Sequence, residues 1–282
     1  FSLDNTTQGT YGSNNPFTVS HTTSADADLL VAVLFVRDTT ARTGGAPSYD
    51  SESLTDSGEG FAYYSGGECG VEIWYLVSPS AGSNSLSVPN TNGVNMDASV
   101  MTFEASGTNT AAVDVANSAS GTTQNPSLTL TSVGANALIV GGLGSGDRDT
   151  PTAGANFTLV HTYDAGNQTW GSEYDLDSGS AGNQTVAFGT ARSDDWGLIG
   201  ISFVEAAGPT QHSQAAAGAI TPAGATLKSI QTIKVGVFTP TGALARQSNK
   251  PISGALTPTG ATLKSTLKSF AGALGLAGAL VT

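Results

Sequence analysis

The sequence predicts an all-β protein: a β-sandwich head over residues 1–206, followed by a short β-repeat tail. Three observations predict it. The 282 residues include 36 glycines and 11 prolines, and only 11% are charged, whereas long amphipathic helices need Glu, Lys and Arg along their outer face. Short apolar runs of strand length recur between clusters of turn-forming residues. A motif then repeats every 18 residues toward the C-terminal end, and a fixed period of this kind marks a repeat architecture. Apolar residues make up 39% of the chain, enough to bury a core.

In chain order, LLVAVLFV at 29–36 is a continuous apolar run, the pattern of a strand buried on both faces. VEIWYLV (71–77), ASVMTF (98–103), SLTLTSV (127–133), ALIVGGL (137–143), FTLVHTY (157–163), QTVAF (184–188) and LIGISFV (198–204) follow. Clusters such as ARTGG, PNTNG and SGDRDTPTAG separate them. Many short strands at this spacing suggest a two-sheet sandwich. There is also a weak internal twofold echo. ADLLVAVLFVRD (27–38) recurs in outline as ANALIVGGLGSGD (135–147), and MDASVMTFEAS (96–106) as DDWGLIGISFVEA (194–206).

The series SLDNTTQGTYGSNNPFTVSHT, ADLLVAVLFVRD, VEIWYLVSPSAGSNSLSV and DDWGLIGISF resembles a jelly-roll-like domain of phage virion proteins and of some secreted bacterial proteins. The resemblance covers residues 1–205. It rests on strand patterns and turns, so it implies a fold and a setting and no catalytic site.

Charge divides the chain. Residues 1–206 hold all 22 acids against four arginines, a net of −18, while residues 207–282 hold no acid and six cations. AAGPTQHSQAAAG marks the boundary, with 207–217 as linker and 218–282 as the basic repeats. Gly218, Gly236 and Gly254 each open a Gly-x-x-Thr-Pro-x-Gly-Ala unit, and a degenerate fourth copy begins at Gly272. Such repeats form either a meander or one coil each of a narrow β-solenoid. They resemble the Thr-Pro-x-Gly-Ala-Leu arrays at the ends of phage structural proteins. Lys228, Arg246 and Lys264 fall at the same place in successive units and are the candidate assembly residues. An acidic head and a basic tail attract neighbouring copies, so the expected partners are copies of the chain and other subunits of a virion or filament. The overall acidity argues against nucleic acid, and the apolar piece from Phe270 onward is too short to span a membrane.

Chemistry-bearing motifs are sparse. Cys69 lies in a strand pattern and reads as a small buried residue; His21, His161 and His212 sit in no triad-like motif. Glu173-Tyr-Asp175-Leu-Asp177 would line three carboxylates on one strand face. It resembles the Glu-x-Asp-x-Glu motif of jelly-roll glycoside hydrolases, with a shorter Asp177 in the last position. The alternative is a solvent-facing edge followed by a turn. Asp147, Asp149, Asp175, Asp177 and Asp194-Asp195 are the weak candidates for calcium, which takes several loop oxygens, against the ordinary use of Asp in turns. Trp170, in the loop-like GNQTWGS, is the candidate for stacking on a surface glycan, whereas Trp74 and Trp196 read as core. The expectation is therefore a non-enzymatic structural protein of a virion, with no cofactor. A secreted cell-surface filament subunit and a carbohydrate-binding adhesin are the alternatives.

Overall fold

The structure, a computed structural model, describes residues 1–206 except 39, 65–68, 107–109, 147–149 and 165–167; of residues 207–282 it describes 236–238, 252–256 and 270–271. Phe1–Ala206 and Ala207–Thr282 are two compact units. Every regular element among the described residues is a strand, so none of them forms a helix long and apolar enough to cross a membrane.

The first half of the head contains β1 (Ser2–Gln8), β2 (Phe17–Thr23), β3 (Leu29–Arg37), β4 (Ser48–Tyr49), β5 (Glu52–Ser53), β6 (Thr55–Asp56), β7 (Ala62–Tyr63), β8 (Gly70–Val77), β9 (Gly82–Val88) and β10 (Asn95–Glu104). They form an inner sheet of order β1-β10-β3-β8-β6, with β7 also on β8, and an outer sheet of order β2-β9-β4-β5. The second half contains β11 (Thr110–Gly121), β12 (Ser127–Val133), β13 (Leu138–Ser145), β14 (Thr158–Asp164), β15 (Thr169–Asp175), β16 (Gly182–Ala187) and β17 (Trp196–Ala206). Its inner sheet runs β11-β17-β13-β15-β14, and β12 pairs with β16 as an outer ribbon. The same strand order therefore occurs twice. β1-β10-β3-β8 answers to β11-β17-β13-β15, and β2-β9 to β12-β16. Even the register slips agree, since both opening strands are bulged, at Leu3/Asn5 and at Val113/Ala116.

Three apolar cores make this a stack of four layers. Leu30, Ala32 and Leu34 of β3 pack with Val19, Tyr49 and Leu86 between the first outer and inner sheets. Leu29, Val31, Val33 and Phe35, on the opposite face of the same strand, meet Val140, Ile199, Ile201 and Phe203 between the two inner sheets. Leu130, Ile139, Val186 and Leu198 fill the space under the ribbon. A strand with apolar neighbours on both faces cannot alternate polar and apolar residues, which is why residues 29–36 read as one run. Gly142 sets the approach of the inner sheets: a Cβ there would stand 2.5 Å from Val33 Cγ1 and 2.9 Å from Val71 Cγ2.

In the second unit, β18 (Gly236–Phe238) pairs with β19 (Ile252–Leu256), which pairs with β20 (Phe270–Ala271). Both pairings are parallel, with Gly236 opposite Gly254 and Ile252 opposite Phe270, so each strand is displaced by 18 residues from the next. The linker 207–217 and the cations Lys228, Arg246 and Lys264 lie outside the described residues.

Candidate functional site

Polar side chains that the sequence leaves scattered converge at four buried places. The first lies between the inner sheets. Asp97, on β10, carries His161 Nε2 at 3.0 Å and Trp170 Nε1 at 3.3 Å on one carboxylate oxygen, and its other oxygen accepts from the Ala98 amide at 2.7 Å. Ser172 and Ser99 hydroxyls meet beside it at 2.9 Å. Because β10 belongs to the first half and β14 and β15 to the second, these contacts fasten one half to the other. Each of these side chains has a partner on the facing sheet, which offsets much of the cost of burying it, while His161 Nδ1 has no hydrogen-bond partner among the described residues.

The second place lies under the first outer sheet. His21 Nδ1 contacts Thr7 Oγ1 at 2.8 Å and Nε2 contacts Thr102 Oγ1 at 3.1 Å, while Thr102 Oγ1 donates to Asp4 at 2.8 Å. Burial lowers the His21 pKa to about 4, against a smaller opposing pull from Asp4, so the ring is neutral at pH 7. At the third place the Glu72 carboxylate accepts from Arg42 Nη2 at 3.0 Å and from Trp74 Nε1 at 2.8 Å. The Arg42 guanidinium lies 5.2 Å from the Trp74 ring centroid and donates to the Gly45 and Pro89 carbonyls. Burial raises the Glu72 pKa, and Arg42 opposes that rise.

The fourth place corrects the reading of the carboxylate row. Glu173, on β15, is fully buried, so it stands on no solvent-facing edge. Its Oε2 accepts from the Gly154 amide at 2.8 Å, and among the described residues its Oε1 has no hydrogen-bond partner. Asp175 ends the strand half-buried, and Asp177 lies exposed beyond it. No shared face is left on which the three carboxylates could flank a sugar. Asp175 Oδ1 accepts from the Asp177 amide at 3.1 Å and Asp177 Oδ1 from the Gly179 amide at 2.8 Å, so both build the turn after β15. Asp194 Oδ1 likewise accepts from the Asp195 amide at 2.8 Å. Asp147 and Asp149 lie outside the described residues. Among the described residues, no three His, Cys, Asp or Glu side chains gather as a metal would require.

Trp170 is a second correction. It lies within β15 at 0% exposure, stacked on Tyr163 at 4.6 Å between centroids and flanked by Tyr11 at 5.7 Å and Phe35 at 6.0 Å. A ring covered on this scale offers no face to a glycan. The half-buried Tyr11 and Tyr163 stand over it instead. Trp196 is core, as read, with its Nε1 donating to the Thr123 carbonyl at 3.0 Å. Cys69 is buried beside Gly144, and burial pushes its thiol up to about 12, far from a nucleophilic thiolate at neutral pH.

Sequence reasoning missed Asp97, Glu72 and Arg42. A signal was present: Glu72 and Asp97 each interrupt an apolar strand, and a charge at a core-facing position demands a partner. No family model, curated protein or solved structure matches the chain.

Proposed function

We propose that the chain is a non-enzymatic structural protein of a virion, a decoration, tail or fibre component, whose head is a doubled jelly-roll-like sandwich and whose tail is an assembly element. The observation that carries the reading is the 18-residue offset at which β18, β19 and β20 pair in parallel. Antiparallel neighbours would suit a meander; parallel neighbours one repeat apart suit a solenoid, and we take the repeats as coils. A repeat this short cannot bury a face alone and depends on stacking. The end strands of a parallel stack keep unpaired backbone groups that another chain can extend.

The head reading is supported by the strand order, an inner β1-β10-β3-β8 facing an outer β2-β9-β4-β5, which is that of an eight-stranded jelly roll. Its buried polar groups tie layer to layer, as a building block requires. A secreted surface filament subunit would share the tail offset, and negative-stain images of native assemblies separate virions from fibres.

Deleting residues 207–282 tests the proposal. The head should remain soluble and melt cooperatively, because residues 1–206 own three cores, while incorporation into particles or filaments should be lost. Normal assembly of the truncated chain, read by sedimentation and electron microscopy, would refute the assembly reading. Replacing Lys228, Arg246 and Lys264 with Glu then asks whether charge drives it: assembly should weaken and lose its salt dependence.

A further inference from the structure

Glu173 differs from every other buried acid of the head in what surrounds it. Its side chain projects from the outer face of β15, opposite Gly141 of β13 and Leu159 of β14, beneath Val186 of β16. Gly141 leaves the room: a Cβ there would stand 3.2 Å from Glu173 Cγ and 2.6 Å from Val186 Cγ1. Gly154 donates an amide hydrogen bond to it and must be glycine, because a Cβ would run into the Ala187 carbonyl; the Ala187 amide also faces the carboxylate. The carboxyl thus joins three pieces of chain, namely β15, residues 150–157 and β16.

Among the described residues its surroundings hold no cation. Residues 150–157, β12, β13 and β16 contain no titratable side chain at all. On β14, His161 is bound to Asp97 in the opposite layer, Tyr163 stacks on Trp170, and Asp164 is exposed at the strand end. On its own strand Tyr174 packs into the inter-sheet core, leaving Asp175, a like charge, and Asp177 beyond it.

We propose that Glu173 is a proton-operated latch: as the neutral acid it stays sealed beneath residues 150–157 and β16, and as the anion, which this buried site solvates too poorly, it draws in water and loosens both. Burial, aided by Asp175 and opposed by the Gly154 and Ala187 amides, moves its pKa from 4.5 to about 8. The acid is therefore mostly neutral at pH 7 and ionises in mild alkali. Because the folded value lies above the unfolded one, the unfolded chain gives up the proton first. The latch contribution is fully present below about 4.5 and is lost as the pH rises through 8. Across that window one proton changes the folded-to-unfolded ratio by about tenfold per pH unit.

The test compares the full chain with Glu173→Gln, which keeps the shape and an acceptor for Gly154 but cannot ionise. Equilibrium unfolding from pH 5 to 9 should show the wild type losing stability relative to the variant as the pH rises. Hydrogen exchange, corrected for intrinsic rates, should show residues 150–157 and 182–188 losing at least about tenfold protection in the wild type between pH 6.5 and 9. Parallel unfolding profiles for the two proteins would overturn the latch. So would unchanged wild-type protection at pH 9, a reading that stands even if the variant fails to fold.

Discussion

The two halves of the head bury a glutamate on the same face of the same strand and treat it in opposite ways. In the first half Ala32 of β3 faces Trp74 of β8; in the second, Gly141 of β13 faces Glu173 of β15. Leu29 and Leu138, opposite Phe103 and Phe203, fix the correspondence. Glu173 thus answers to Trp74, and Glu72 stands one pleat away. Glu72 receives an indole N–H from its own strand and, from the segment above it, a guanidinium that also lies over the Trp74 ring. Among the described residues Glu173 receives the Gly154 and Ala187 backbone amides and no cation. The outer layers differ to match, four strands over the first and a two-stranded ribbon over the second. A duplicated scaffold thus fixes where a buried acid sits, while the covering segment decides whether it faces a cation or backbone amides.

The comparison breaks most severely at Arg42. Replacing Arg42 with Met should cost about 3–5 kcal/mol in denaturant unfolding at neutral pH, because it removes the cation that faces buried Glu72. Adding Glu72→Gln to that variant should recover part of the loss; strictly additive effects would show that the two side chains are not coupled. Next in size is the contact between the halves. Gly142→Ala should lower stability by about 1–3 kcal/mol, since its methyl meets Val33 and Val71. A neutral result would mean the inner sheets can part without strain. The smallest effect belongs to Asp177→Ala, which removes one exposed turn acceptor and should shift the unfolding free energy by less than about 1 kcal/mol. A larger loss there would show that the turn after β15 is tied into the core more tightly than its exposure implies.

Fold class was legible because burial on both faces writes itself into composition. Residues 29–36 have no other reading, and β8, β10, β13 and β17 repeat the pattern. Other strands were not legible, and β11 and β15 show two different reasons. β11, TAAVDVANSASG, lies at a sheet edge with mixed exposure, so no alternation survives in it. β15, TWGSEYD, is almost wholly buried, yet its burial is met by Gly, Ser and Glu side chains that fit particular neighbours. Those neighbours are the part a local reading cannot supply. His161 lies 64 residues from Asp97, and Gly154 serves Glu173 through its amide, which any residue name conceals. Trp170 and Glu173 were misplaced together because they share that strand.

The mating of the two inner sheets has one more consequence. Physically, it is a subunit interface whose partners are permanently tethered through residues 105–109. A short tether keeps the two faces at an effective concentration on the order of millimolar. Faces so confined need little intrinsic affinity, which makes room for the Asp97–His161 and Ser99–Ser172 contacts where two free proteins would gain more from apolar side chains. In oligomer terms, the head is a pseudo-symmetric pair folded from a single strand of peptide, and its assembly does not depend on dilution.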